Sequence, residues 1–354
     1  MKKGVFLVLI GVGMMGGADA TRRVPTYSDA THYSDATRRV HTVVMPPRLR
    51  TGDTIAVVSP SSTPDSMTVV KGCRTLREWG FVPVVGAHAL DNYHGFAGTA
   101  EERTGDLLWA LREPSVKAIM CSRGGDGAVQ VVGRIGLEEF RQHPKWVMGF
   151  SDVTAIHSAE VSAGVMSIHS PMCDGMGRDT VSTLMRGLLE GRLPTYCVPA
   201  HRLNQKGETT GRLVGGNMSV FCGLAGSDYD FLNRVFDEDV ILFFEDTGES
   251  MSKVDRMLHL LEIRGVLSRL KGVIVGHFSN YKYPENGFAD MYDMLHEYLQ
   301  HYDIPVAYDF PVGHHSSWNP PMVVGCRVRL TVGDEGTEVA FFEPDANAPG
   351  TVAD

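Results

Sequence analysis

The chain has 354 residues, 43% hydrophobic and 21% charged, with a net charge of −9 and a sequence pI near 5.9. This is globular composition, with length enough for two domains. The acidic balance excludes nucleic acid as the main partner, because phosphate binding needs clustered Lys and Arg.

The N-terminus carries Lys2-Lys3, an apolar run at 5–15 and then Ala18-Asp19-Ala20, the form of a secretory signal with a small-residue cleavage site. Residues 21–44 repeat "TRRV" (21–24, 37–40) and "YSDAT" (27–31, 33–37) without any core-forming pattern. Residues 1–44 are therefore expected to be a disordered or removed extension. Met45 opens "MPPRLRTGDTIAVVSP", which reads as the natural start of a cytoplasmic domain. The cytoplasm is the expected location, with export as the alternative if the signal-like residues are used. No apolar run reaches the length needed to span a membrane.

From Thr54 onward, short apolar runs alternate with helical patterns. "TIAVVS" (54–59) is a predicted strand, and 65–79 a predicted helix with Val70, Cys73 and Leu76 on one face, stopped by Gly80. "FVPVV" (81–85) is a strand that Pro83 marks as an edge. Thr99 and Glu102 form a capping-box pattern opening a helix with Leu107, Leu108 and Leu111. "VKAIMCS" (116–122) and "KWVMGF" (145–150) are further strands, separated by a helical stretch at 128–141. This alternation predicts a flavodoxin-like, doubly wound parallel sheet over residues 45–196.

The Pro-, Gly- and polar-rich "PTYCVPAHRLNQKGETTG" (194–211) contains the predicted linker, 197–211. A smaller mixed α/β C-terminal domain is predicted over 212–340. It has strands in "GRLVGGNMSV" (211–220), "DVILFFED" (239–246), "LKGVIVG" (270–276) and "VVGCRVRLTV" (323–332). A helix with Val254, Met257, Leu258 and Leu261 lies among them, ended by Gly265, and residues 341–354 form a tail. The six cysteines (Cys73, Cys121, Cys173, Cys197, Cys222 and Cys326) are scattered, with no C-x-x-C pair. They read as buried thiols.

Four places can carry chemistry. Ser151 stands where the strand "WVMGF" gives way to a helix, a geometry that suits a nucleophile beside helix N–H groups. Serine and aspartate are equally natural as caps there, and Val153 replaces the second glycine of a G-x-S-x-G elbow. "SRGGDGA" (122–128) places two adjacent glycines after a strand, where backbone can approach a ligand closely or simply turn. Glu245 ends a fully apolar strand, where a carboxylate is desolvated unless paired, as one orienting a histidine would be. His314 and His315 lie in the loop "FPVGHHSSWNPP" (310–321). No metal site is expected, since there is no H-E-x-x-H and adjacent histidines cannot easily share one ion.

Taken in order, "GDTIAVVSPSS", "FAGTAEER", "SRGGDGA", "PKWVMGFSD", "GGNMSV", "ILFFEDTGE", "VDRML" and "FPVGH" resemble the LD-carboxypeptidase family over about residues 49–330. That family includes muramoyltetrapeptide carboxypeptidases and microcin C immunity peptidases. The resemblance implies a serine peptidase with Ser151 as nucleophile, His314 rather than His315 as base, and Glu245 orienting it. It also implies an oxyanion hole from the backbone of Gly124 or Gly125 with Asp152, no cofactor, a homodimer, and a murein tetrapeptide losing its terminal D-alanine. Arg123 and Asn217 are substrate-binding candidates by position.

The chain departs from the family pattern at Asp126 (usually tyrosine), at His169-Ser170-Pro171 (often His-Gly-Pro) and at "SMSK" (250–253), where a tyrosine is common. Two rival readings remain: an immunity-type peptidase acting on aminoacyl or peptidyl nucleotides, with Trp318 as a possible base platform, and a non-catalytic two-domain binding protein.

Overall fold

The computed structural model describes residues 43–177, 179–282, 287–314 and 318–343. The signal-like extension, His315 and residues 344–354 lie outside the described residues.

The first half alternates strand and helix. Its elements are β1 (Thr54–Val58), α1 (Ser66–Glu78), β2 (Val82–Val85), α2 (Ala100–Arg112), β3 (Val116–Cys121), α3 (Ala128–Val132), α4 (Leu137–Gln142), β4 (Trp146–Gly149), α5 (Thr154–Ala163), β5 (Ser167–His169) and α6 (Thr180–Leu189). The second half holds β6 (Thr195–Pro199), β7 (Gly207–Asn217), α7 (Met218–Gly223), β8 (Val240–Thr247), α8 (Met251–Ile263), β9 (Gly272–Ser279), α9 (Met291–Leu299), β10 (Val306–Ala307), β11 (Met322–Val324), β12 (Arg327–Val332) and β13 (Gly336–Phe342).

Two sheets result. The first runs β11-β5-β4-β3-β1-β2, so its parallel strands follow the 2-1-3-4-5 order of a flavodoxin-like fold, with β11 added antiparallel. The second is mixed and runs β10-β9-β8-β7-β12-β13-β6. With seven strands to the first sheet's six, it is no minor appendage.

Side chains alternate across the first sheet, as a two-residue period requires. Ile55, Val57, Ala118, Met120, Trp146 and Met148 enter one core, while Ala56, Val58, Ile119, Cys121 and Val147 enter another. The first of these cores continues through Val214, Phe243 and Val275 of the second sheet. Phe243 and Phe244 are wholly buried, each worth about 2 kcal/mol of transfer free energy.

Local signals explain most boundaries. Asp65 caps α1 by accepting from Met67 N–H (2.7 Å), and Thr99 and Glu102 form the reciprocal capping box of α2. Pro83 lies on the edge strand β2.

Four details differ from the sequence reading. The buried face of α1 is Val69, Cys73 and Leu76, because Val70 turns to solvent. The stretch 128–141 is two short helices separated by Gly133 and Gly136. The run 323–332 is split at Gly325 (φ 89°), a conformation glycine adopts readily, so β11 joins the first sheet and β12 the second. Most of β6 falls within 197–211, and it pairs antiparallel with β13, so this stretch is not bare linker.

Candidate active site

The carboxyl end of β4 runs through Phe150 into a single 3₁₀ turn, Ser151–Val153, and then into α5. Ser151 has φ 62°, a left-handed conformation that a residue with a Cβ adopts only under constraint, at about 1–3 kcal/mol. Phe150 O accepts from Val153 N–H (3.2 Å), closing the turn.

Glycines make room around this serine. A Cβ on Gly124 would lie 3.0 Å from Ser151 Cβ and 3.2 Å from its Oγ, so a side chain there would press on the serine and shift it by a few tenths of an ångström. A Cβ on Gly149 would meet both methyls of Val153, at 2.9 and 3.0 Å. Gly125 has φ 110°, and a Cβ there would strike Ser62 Oγ, which itself accepts from Asp126 N–H (3.1 Å).

Asp152 is buried and caps a helix other than its own. Its Oδ2 accepts from Ala128 N–H (2.8 Å) at the start of α3, locking the serine turn to the glycine loop. Burial raises its carboxyl above the usual range, opposed by the hydrogen bond from Ala128.

Glu245, on β8, is wholly buried. Its Oε2 accepts a hydrogen bond from His314 Nδ1 (2.6 Å), and its Oε1 accepts from Asn217 Nδ2 (3.3 Å). A carboxylate can only accept, so Nδ1 carries the proton and Nε2 is left as the basic nitrogen. Two glycines admit the glutamate. A Cβ on Gly313 would lie 2.8 Å from its Oε2, and one on Gly276 would lie 3.1 Å from its Cβ. Burial pulls the His314 imidazole down, but the hydrogen bond and charge of Glu245 outweigh it, so its pKa lies above 6.5.

The Phe150 ring joins the two halves. Its centroid is 4.8 Å from the His314 imidazole, so the residue immediately before Ser151 packs on the histidine. A constrained serine beside a glycine loop, with an imidazole oriented by a buried carboxylate, is the equipment of acyl transfer through a covalent intermediate.

Asn217 is placed differently from the substrate-facing position its sequence suggested. It is 3% exposed and caps α7, its Oδ1 accepting from Val220 N–H (3.3 Å) and Ser219 Oγ (2.9 Å). Its Nδ2 bridges Glu245 and Asp246 Oδ1 (3.3 Å), so it holds the glutamate. Burial and the charge of Glu245 push Asp246 up to about 6. Arg123 is exposed on the glycine loop and donates to Thr63 O and Gly124 O (both 3.3 Å). Trp318 is half-buried against the larger core.

Arg103 escaped the sequence reading. It is 2% exposed, and its guanidinium donates to Pro60 O (2.6 Å), Gly127 O (2.9 Å), Gly98 O (3.3 Å) and Gln130 Oε1 (2.7 Å). It thereby ties three loops around the site together. The available signal was its place on the α2 stripe with Leu107 and Leu111, where a charge must be buried. Elsewhere, His88, Asp91 and Glu102 bring ligand atoms within 4.8 Å of one another. Glu102 there serves its helix cap, accepting from Thr99 N–H (2.7 Å), and His88 Nδ1 is hydrogen-bonded to Asp91 (2.7 Å).

Comparison with known proteins agrees with this chemistry. The N-terminal domain of the LD-carboxypeptidase family, Peptidase S66, matches residues 55–170, and its C-terminal domain matches 210–330. The chain belongs to that family. It is 36% identical to a putative carboxypeptidase of Synechocystis sp., across 83% of this chain and 96% of the relative. It is 32% identical to a probable murein peptide carboxypeptidase of Bacillus subtilis, across 77% and 86%. The crystal structure of muramoyltetrapeptide carboxypeptidase from Oxalobacter formigenes superposes with a TM-score of 0.73 at 23% identity, covering 82% of this chain and 99% of that one. The protein is a serine-type carboxypeptidase of mixed α/β fold.

Proposed function

We propose that the enzyme removes the terminal D-alanine from a murein tetrapeptide, with Ser151, His314 and Glu245 as a catalytic triad. The observation that carries this is the 2.6 Å His314–Glu245 hydrogen bond, packed through Phe150 against a constrained serine. The names of the Bacillus and Oxalobacter relatives support the substrate class.

His314 Nε2 takes the proton from Ser151 Oγ as the oxygen attacks the carbonyl joining an L-centre to D-alanine. The carbonyl oxygen becomes an oxyanion, held by N–H groups of Gly124 or Gly125 and of Asp152; each such donor is worth about 3 kcal/mol. The imidazolium returns its proton to the amine, D-alanine leaves, and water hydrolyses the acyl-enzyme by the same path. Glu245 holds the imidazole tautomer and stabilises its charged form. Arg123 is suited to the free carboxylate of the leaving residue, since its guanidinium is exposed on the loop beside Ser151. The mechanism uses no metal or cofactor.

The six cysteines are all free, five of them buried, which favours the cytoplasm as the working compartment. Among the described residues no helix is long and apolar enough to cross a membrane. The family resemblance implies a homodimer, which sedimentation velocity would reveal as a species of twice the 38.7 kDa chain mass.

Release of D-alanine from purified tetrapeptide, by wild type and by Ser151→Ala in parallel, tests the reading. Release by wild type alone is expected. Cleavage only of an aminoacyl nucleotide would move the substrate to the immunity class, and release by both proteins would remove Ser151 as nucleophile.

A further inference from the structure

Behind the serine turn lies a group of buried polar side chains that the mechanism above does not use. His157 and Glu160 on α5, and Ser167 and His169 on β5, are all 0–1% exposed. One ring nitrogen of His157, Nε2, lies 2.8 Å from Gly149 O, the carbonyl two residues before Ser151. The same oxygen accepts from Ser170 N–H (2.9 Å). Since a carbonyl only accepts, Nε2 carries the proton and Nδ1 is the bare nitrogen.

Nδ1 lies 3.7 Å from Glu160 Oε2, beyond hydrogen-bond distance, and neither atom has a hydrogen-bond partner among the described residues. Burial raises the Glu160 carboxyl well above its usual range and lowers His157 to about 4. The partner ring His169 lies edge-on to both Phe150 (5.7 Å) and Phe243 (5.3 Å), backing the residue that precedes the nucleophile.

Burying an imidazole with only one nitrogen paired is unfavourable, and a leucine would fill the space without that penalty. A strained backbone persists only where its surroundings over-determine it. Ser151, at φ 62°, is strained, and Gly149 O is where a side chain grips the strand just before it.

We infer that His157 is a positioning residue for the nucleophile: its Nε2–H holds the Gly149 carbonyl and so keeps the Ser151 turn in its reactive conformation. The inference rests on the assignment of Ser151 as nucleophile. It concerns how that oxygen is aimed, whichever amide the enzyme cleaves.

The test uses the full chain with His157→Leu and His157→Gln, the glutamine amide reaching about where Nε2 does. Two readouts are taken: kcat and KM for D-alanine release, and the rate at which a fluorophosphonate labels Ser151, which needs no peptide substrate. His157→Leu should lower kcat and the labelling rate together, by about 100-fold with KM little changed, as expected when a nucleophile is misplaced by a fraction of an ångström. His157→Gln should recover most of both.

A leucine variant with wild-type rates overturns the inference. So does a glutamine variant that folds, by circular dichroism, yet is as slow as leucine. If His157→Leu does not fold, His157→Gln decides alone: near-wild-type labelling supports the donor role, and a large loss refutes it. If wild type labels at Ser151 but releases no D-alanine, the substrate reading fails while the labelling ratios still decide this one.

Discussion

The two sheets supply the site in different physical currencies. The first offers backbone: a left-handed serine at the end of β4, a glycine loop packed onto its side chain, and caps that lock one to the other. The second offers charge: a wholly buried Glu245, an imidazole raised by it, and Asn217 holding the glutamate from behind. A strained turn must be enforced by close neighbours, whereas a buried carboxylate must be given hydrogen bonds. Damage to the first half should therefore misplace the nucleophile, and damage to the second should change what the histidine can do and at what pH.

Four substitutions separate these halves. His314→Ala removes the proposed base and should lower kcat by about 10⁶-fold with KM little changed, measured as D-alanine release. Glu245→Gln keeps the shape but loses the carboxylate, and a loss of about 10⁴-fold is expected. The same variant carries a pH signature. His314 must be neutral to act as base and its pKa lies above 6.5, so wild-type kcat/KM should fall as pH drops through that raised value. With Glu245 neutralised, the hydrogen bond and charge that do most to raise the pKa are gone, leaving burial, which lowers it, against the weaker charge of Asp246. The acid limb should then move to lower pH. An unmoved limb would detach Glu245 from the histidine's titration.

Gly124→Ala addresses the backbone half. Its methyl would press on Ser151 at 3.0–3.2 Å, and a loss of about 100-fold with an unchanged acid limb is expected. Arg103→Leu is the mildest for chemistry and the heaviest for stability. It leaves the carbonyls of Pro60, Gly98 and Gly127 without their guanidinium, and should cost about 3 kcal/mol in chemical denaturation.

Legibility in the sequence followed the same division. Ser151, Glu245 and His314 were each ambiguous by position, as a cap, a strand-end acid and a loop histidine, and the family motifs around them drew them together as a proposed triad. The alternation of apolar runs with helical patterns in the first half also pointed to the doubly wound parallel sheet that the fold contains.

The contributions that stayed hidden are defined by partners far along the chain. Arg103 matters through Pro60 and Gly127, and Asn217 through Glu245 and Asp246. A position in sequence carries no trace of such bonds. Asn217 before a short helix did carry an N-cap signal, which points inward to the helix rather than outward to a ligand. Continuous apolar composition hid the break at Gly325, and the prolines of 194–211 hid a strand whose partner, β13, lies more than a hundred residues on.

In the proposed mechanism a serine at the end of one sheet is activated by a histidine that a glutamate of the other sheet holds. Fluorophosphonate labelling followed by peptide mapping in a mass spectrometer tests it directly, on wild type and on His314→Ala. A single adduct on Ser151 is expected in wild type and almost none in the variant. An adduct on another residue, or equal labelling of Ser151 without His314, would contradict it.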